Sequence, residues 1–186
     1  MDEINFLKNY IKKYKETLFD TNVFEEMITM KKLLLEAKSR GNKFIIAGNG
    51  GSAAIASHAS VDFTKQAKIR TINFNEYDLI TCFANDYGYE NWISKALESY
   101  GEKGDIISLI SSSGNSENMI KAAKVAKKMQ IKVITFTGFS KSNSLKSHGD
   151  LNFWINSKAY NIVENIHQIW LLMVCDLIIG KMEYSA

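Results

Sequence analysis

The sequence predicts an α/β fold, a parallel sheet covered by helices on both faces, and two observations predict it. Short apolar runs of strand length alternate with helical patterns through residues 43–179. Strands alternating with helices imply a parallel sheet with both faces covered. Two of the strand-to-helix turns are also crowded with glycine, serine and asparagine, and such turns lie at the carboxyl ends of strands, where open parallel sheets bind ligands.

The elements follow in order. Residues 3–18 place Ile4, Leu7, Ile11, Tyr14 and Leu18 on one helical stripe. Asn22 followed by Glu25 marks the start of a second helix and Gly41 its stop, so residues 1–41 are an N-terminal helical pair. Residues 43–186 then form the α/β core. Its expected order is strand 43–47, helix 53–66, strand 69–74, helix 76–84, helix 90–100, strand 105–111, helix 116–129, strand 131–137 and strand 151–155. A long helix over 161–179 closes the chain. That helix is apolar around most of its circumference, so it is central to the core or buried between subunits, and a homo-oligomer is expected. No repeat or linker interrupts 1–186, which reads as one domain.

Composition excludes several classes. With 46% hydrophobic and 23% charged residues the chain is an ordinary globular protein. A net charge of +3 with no Lys/Arg cluster argues against a nucleic-acid partner. Cys82 and Cys175 have no metal or redox spacing, the apolar stretch at 169–179 is interrupted by Asp176, and the first residues lack the order of a secretory signal. A cytoplasmic protein with no membrane partner is expected.

Chemistry concentrates in the two turns. Ile110-Ser111-Ser112-Ser113-Gly114-Asn115-Ser116 joins a buried strand to an amphipathic helix. A helix N-terminus there aims free N–H groups and a positive dipole end at one point, which suits a phosphate, and hydroxyls add donors without charge. One cap needs one such residue; this turn has five. Gly48-Asn49-Gly50-Gly51-Ser52 is a second turn of the same kind. Neither is a G-x-x-x-x-G-K-[ST] loop or a G-x-G-x-x-G fingerprint, so no nucleotide is expected. A third segment, residues 82–89, reads as a turn between two helices, in which Asp86 has a carboxylate able to accept hydrogen bonds from sugar hydroxyls.

Two acid–histidine pairs share helical faces: His58 with Asp62, four apart, and Glu164 with His167, three apart. Such pairs serve as zinc ligands, as general acid/base groups, or as plain surface hydrogen bonds. His148, beside Gly149, reads as a loop residue.

The segments Gly48-Asn49-Gly50-Gly51-Ser52-Ala53-Ala54, Asn85-Asp86-Tyr87-Gly88, Ser112-Ser113-Gly114-Asn115-Ser116 and Lys132-Val133-Ile134-Thr135-Phe136-Thr137-Gly138 closely resemble the sugar isomerase (SIS) domain, in its phosphoheptose isomerase branch. The resemblance implies a five-stranded parallel sheet in a three-layer, flavodoxin-like sandwich, a homotetramer with active sites between subunits, and isomerisation of sedoheptulose 7-phosphate for surface polysaccharide synthesis. It implies that Ser111, Ser112, Ser113 and Ser116 hold the phosphate, assisted by Asn49, Gly50, Gly51 and Ser52, with Asp86 at a sugar-contacting position. It also implies a metal site. The family has His then Glu four residues on, and Gln-Glu-x-His followed five residues later by a second His. Here these are His58 and Asp62, then Glu164-Asn165-Ile166-His167, with Leu172 at the last position. Leu172 neither moves a proton nor binds a metal. His58, Asp62 and Glu164 remain as three potential zinc ligands, and the changes motivate exchanged roles, with Glu164 as base and His58 or His167 as acid. A non-catalytic sugar-phosphate binder or scaffold, or an isomerase of another phosphosugar, is the alternative.

Overall fold

The computed structural model describes residues 2–184. Five strands, β1 (Phe44–Gly48), β2 (Thr71–Asn73), β3 (Ile106–Ser111), β4 (Lys132–Thr137) and β5 (Leu151–Trp154), pair in the order β2-β1-β3-β4-β5 with every pairing parallel. The seven α-helices are α1 (Glu3–Phe19), α2 (Phe24–Ser39), α3 (Gly51–Lys65), α4 (Tyr77–Tyr87), α5 (Trp92–Tyr100), α6 (Glu117–Lys128) and α7 (Tyr160–Ile179). The expected α/β class and five-stranded parallel sheet are both present, and the strand order is the flavodoxin-like one.

Side chains alternate across the sheet and build one core on each face. Phe44, Ile46, Ile110 and Phe136 pack with buried residues of α2, α3 and α7. Ile45, Ala47, Leu109 and Val133 pack with α5 and α6. This makes the three layers. By length and composition α7 would also pass for a membrane span. Its packing on α2 and α3, through Ile166, Trp170, Leu171 and Val174, makes it a core helix.

Several boundaries differ from expectation for local reasons. The helix expected at 53–66 begins at Gly51, because the chain turns at Gly50. The strand expected at 69–74 is only Thr71–Asn73, at the sheet edge. The expected turn over 82–89 is largely helix: α4 runs through Asn85 and Asp86 and stops at Gly88. Asn22 marks the start of α2 as expected, its Oδ1 accepting from the Phe24 N–H at 3.1 Å. His148 falls in a short 3₁₀ turn, Lys146–His148.

The β1–β3 pair is clamped where both strands begin. The Asp105 carboxylate, fully buried, accepts from the backbone N–H groups of Lys43 at 2.9 Å and Glu102 at 2.8 Å. It also faces Lys43 Nζ at 2.7 Å. Asp105→Ala removes the buried partner of Lys43, leaving it only the exposed Glu102 carboxylate at 3.2 Å, and strands two backbone donors, so it is expected to cost about 3 kcal/mol. Urea unfolding checks this; a loss below 1 kcal/mol would mean that the clamp is dispensable.

Candidate functional site

The carboxyl ends of β1 and β3 lie side by side, with Gly48 opposite Ile110. Both turns therefore open at the switch point of the sheet, where the order reverses. Between them is a cavity of about 110 Å³ lined by Asn49, Ser52, Ile110, Ser111, Ser112, Ser113, Ser116, Tyr160 and Glu164. That is well below the ~300 Å³ lower end usual for a small-molecule site, and large enough for an anionic head group.

The serine turn is held rigidly. Ser111 Oγ accepts the Gly114 N–H at 3.2 Å and lies 3.1 Å from Ser116 Oγ. Ser113 Oγ accepts the Asn115 N–H at 3.2 Å. Gly114 is required: its φ is +67°, and a Cβ there would stand 2.0 Å from Asn143 Oδ1. Ser112 is buried, and its hydroxyl has no partner among the described residues. Buried polar groups are normally paired, so that hydroxyl is an unsatisfied group beside the cavity. α3 and α6 both begin at the cavity with no side-chain cap bond, so their N-terminal N–H groups add to the donor field.

Asn49 ties the turns together. Its amide exchanges hydrogen bonds with that of Asn118 on α6, at 2.9 and 3.1 Å, and its Oδ1 also accepts from the Tyr89 hydroxyl at 3.1 Å. Among the described residues Glu164 is the only charged one that lines the cavity. Glu164 reaches it from α7 and lies against the start of α3: a Cβ on Gly51 would meet its carboxylate oxygen at 2.3 Å. Gly51 thus makes the space that Glu164 fills. Burial raises the Glu164 carboxyl above its ordinary value of 4.5.

The remaining candidates are dispersed. His58, half exposed on α3, has Nε2 3.2 Å from Asp62 Oδ2 and Nδ1 3.0 Å from Gln168 Nε2 on α7. Seven residues of helix separate His58 from Gly51, about 10 Å along the axis. His58 and Asp62 do not line the cavity, nor does Asp86, which is exposed and accepts from Asn85 Nδ2 at 2.9 Å. His167 is fully buried, with Nε2 3.2 Å from the Thr137 carbonyl and its ring between Phe136 and Trp170. Desolvation pushes its pKa down to about 4. It is a neutral core residue and does not face the cavity.

The structure does not bring the three expected zinc ligands, His58, Asp62 and Glu164, into one group. Among the described residues no group of three His, Cys, Asp or Glu side chains is placed to hold a metal. Glu164 sits at the start of α3 while both nitrogens of His58 are engaged two turns away. Residues 8–138 match the family model for the SIS domain. The chain belongs to the SIS domain family.

Among similar proteins is the phosphoheptose isomerase of Fusobacterium nucleatum, 33% identical over 97% of this chain and 90% of that one. The phosphoheptose isomerase of Thermodesulfovibrio yellowstonii is 36% identical over 90% of this chain and 88% of its own. In structure, the phosphoheptose isomerase of Neisseria gonorrhoeae aligns with a TM-score of 0.86 and 25% identity, over 96% of this chain and 98% of that one. The Francisella tularensis phosphoheptose isomerase, at 24% identity, shares the fold with a TM-score of 0.91 over 97% of this chain and all of its own. This SIS domain thus falls in the phosphoheptose isomerase branch.

Three residues of the site had no sequence signal: Tyr160 on the cavity wall, Asn118 behind Asn49, and Gln168 beside His58. Gln168 lies 110 residues from His58, and only the packing of α3 on α7 joins them.

His167 makes stability depend on pH. The unfolded chain binds a proton at His167 near pH 6.5 and the folded chain only near 4, so stability falls as pH drops from 6.5 to 4 and this group takes nothing more below that. The loss is roughly 3 kcal/mol. Urea unfolding of wild type and His167→Phe across this window is expected to give a flatter curve for the variant; parallel curves would contradict it.

Proposed function

We propose that this SIS domain is an aldose–ketose isomerase of a phosphorylated sugar, of the sedoheptulose 7-phosphate type that its relatives' names indicate. The observation that carries this reading is the Glu164 carboxylate lining the same cavity as Ser111, Ser112, Ser113 and Ser116. An anion site built of neutral donors, with one carboxylate of raised pKa on its wall, supports a phosphate anchor next to a proton-transfer group.

In this reading the phosphate rests between the serine turn and the start of α3, contacted by Ser111, Ser112, Ser113, Ser116, Ser52 and Asn49, while Gly50 and Gly51 keep the backbone close. The sugar runs from there along the outer groove between α3 and α7, past Glu164 toward His58 and Asp62. Glu164 removes a proton from the carbon beside the carbonyl, giving a cis-enediol, and returns it to the adjacent carbon. His58, its Nε2–H released from Asp62, gives a proton to the carbonyl oxygen as the enediol forms and takes one back from the neighbouring hydroxyl as it collapses, and Asp86 accepts from a hydroxyl. His167 takes no part, since it is buried and neutral. No step passes through zinc, because its donors do not converge.

The small cavity also supports self-association, because one copy encloses only the head group. Phe6 and Leu7 on α1, Phe24 on α2 and Met173 on α7 are exposed apolar side chains, at 52, 61, 60 and 42%. We infer a homo-oligomer, a tetramer by family resemblance, in which a second copy covers the groove, and a cytoplasmic location.

Proton NMR with sedoheptulose 7-phosphate in D₂O tests the reaction. Deuterium is expected at the carbon beside the carbonyl while an aldose signal grows; binding without exchange would leave a sugar-phosphate binder. Glu164→Gln is expected to lower kcat about 100-fold or more, the scale of a lost general base. Intact turnover would sink the role of Glu164. Ser111→Ala is expected to weaken inorganic phosphate binding roughly tenfold by calorimetry, one lost hydrogen bond; unchanged affinity would place the phosphate elsewhere.

A further inference from the structure

Tyr160, the first residue of α7, lines the cavity with Ser112, Ser113 and, one turn further along the same helical face, Glu164. It stays 57% exposed, so burial does not account for a tyrosine there. Its ring is held all the same. It meets the Phe139 ring edge to face, with centroids 4.8 Å apart and planes at 71°.

Phe139 makes that contact from a strained backbone. Its φ is +54°, in the left-handed region that a bulky aromatic residue rarely adopts. Two hydrogen bonds keep it there. The Phe139 N–H donates to the Ser157 carbonyl at 2.9 Å, and the adjoining Gly138 N–H donates to the Ser112 carbonyl at 2.9 Å. Phe139 is thus tied to the serine turn on one side and to the segment leading into α7 on the other. Strain of this kind persists where the surroundings over-determine it, and it concentrates at ligand sites.

The cavity has a use for a donor so placed. Among the described residues no lysine or arginine lines it. The serine turn cannot aim every hydroxyl proton at an anion either, since one of them joins Ser111 Oγ to Ser116 Oγ at 3.1 Å. A phenol is a stronger donor than an alcohol, because its ring delocalises the charge that builds on oxygen, and a charged acceptor strengthens the bond further. A ring fixed in advance by Phe139 also loses little freedom when the anion arrives.

We propose that Tyr160 is a phosphate-binding residue, whose hydroxyl donates to a phosphate oxygen, and that Phe139 is the positioning residue that holds its ring. This rests on the reading above, in which the cavity takes the phosphate of the sugar. Glu164 remains the proton-transfer group; Tyr160 acts in binding only.

Calorimetry of the full chain with inorganic phosphate, in parallel with urea unfolding, tests both roles. Tyr160→Phe keeps the ring and removes the donor. It is expected to weaken phosphate binding about tenfold, one lost hydrogen bond to a charged group, with stability unchanged. With sedoheptulose 7-phosphate its KM is expected to rise by a similar factor while kcat stays within twofold, as for a group that binds without taking part in the chemistry. Phe139→Gly removes the neighbouring ring and relieves the left-handed backbone, and is expected to weaken phosphate binding about fivefold. The double variant is expected to bind no more weakly than Tyr160→Phe alone, because Phe139 acts through the placement of the hydroxyl. Losses that add in the double variant overturn the role of Phe139. Unchanged phosphate affinity in Tyr160→Phe, with affinity lost in Ser111→Ala, overturns the proposal and leaves the phosphate site standing. No phosphate binding by wild type, or binding that neither Tyr160→Phe nor Ser111→Ala weakens, overturns the reading of the cavity and the proposal with it.

Discussion

The structure depends on the pairing of β1 with β3. These strands are 62 residues apart at their first paired positions, Phe44 and Ile106, yet their register brings Gly48 level with Ile110. Because the order reverses there, the two following turns leave the sheet toward α3 on one face and α6 on the other, and open a cleft between them. The pairing is secured at both ends. Asp105 joins the strand starts through backbone N–H groups and Lys43, and the reciprocal Asn49–Asn118 amide pair joins the turns beyond the strand ends. Either turn alone would be a plain helix cap. Side by side they direct the starts of two helices and five hydroxyl side chains at one volume.

The second constraint is the packing of α7 along α3, which supplies what the turns lack. Hydroxyls and backbone N–H groups hold an anion but do not exchange protons with carbon. Glu164 adds a carboxylate against the bare backbone of Gly51, and Gln168 adds an amide against His58. Among the described residues the cavity has no lysine or arginine in its lining, so the anion proposed there would be held by dipoles and hydrogen bonds rather than by net charge.

The histidines show how completely environment sets role. His58 and His167 each have an acidic neighbour one helical turn away in sequence. His58 faces outward and keeps its acid partner. His167 faces the sheet, where Phe136 and Trp170 exclude water, and Glu164 points past it into the cavity. Desolvation then outweighs the hydrogen bond to Thr137 and keeps the ring neutral.

The sequence by itself determined the elements and the chemistry of the turns, because both are local. Apolar runs and helical stripes mark strands and helices through burial, and five polar residues at one strand-to-helix turn exceed what a cap needs. The α/β class, the parallel sheet and the serine turn were legible on those grounds. Which histidine is exposed, where Glu164 points and what meets His58 were not, since an i,i+3 or i,i+4 pair says that two residues are neighbours and not which side of the helix meets the core. Only the tertiary structure decided those points. The docking of α7 on α3 and on the sheet fixes the rotation of the helix about its axis, and that rotation sends His167 inward and leaves Glu164 and Gln168 facing α3.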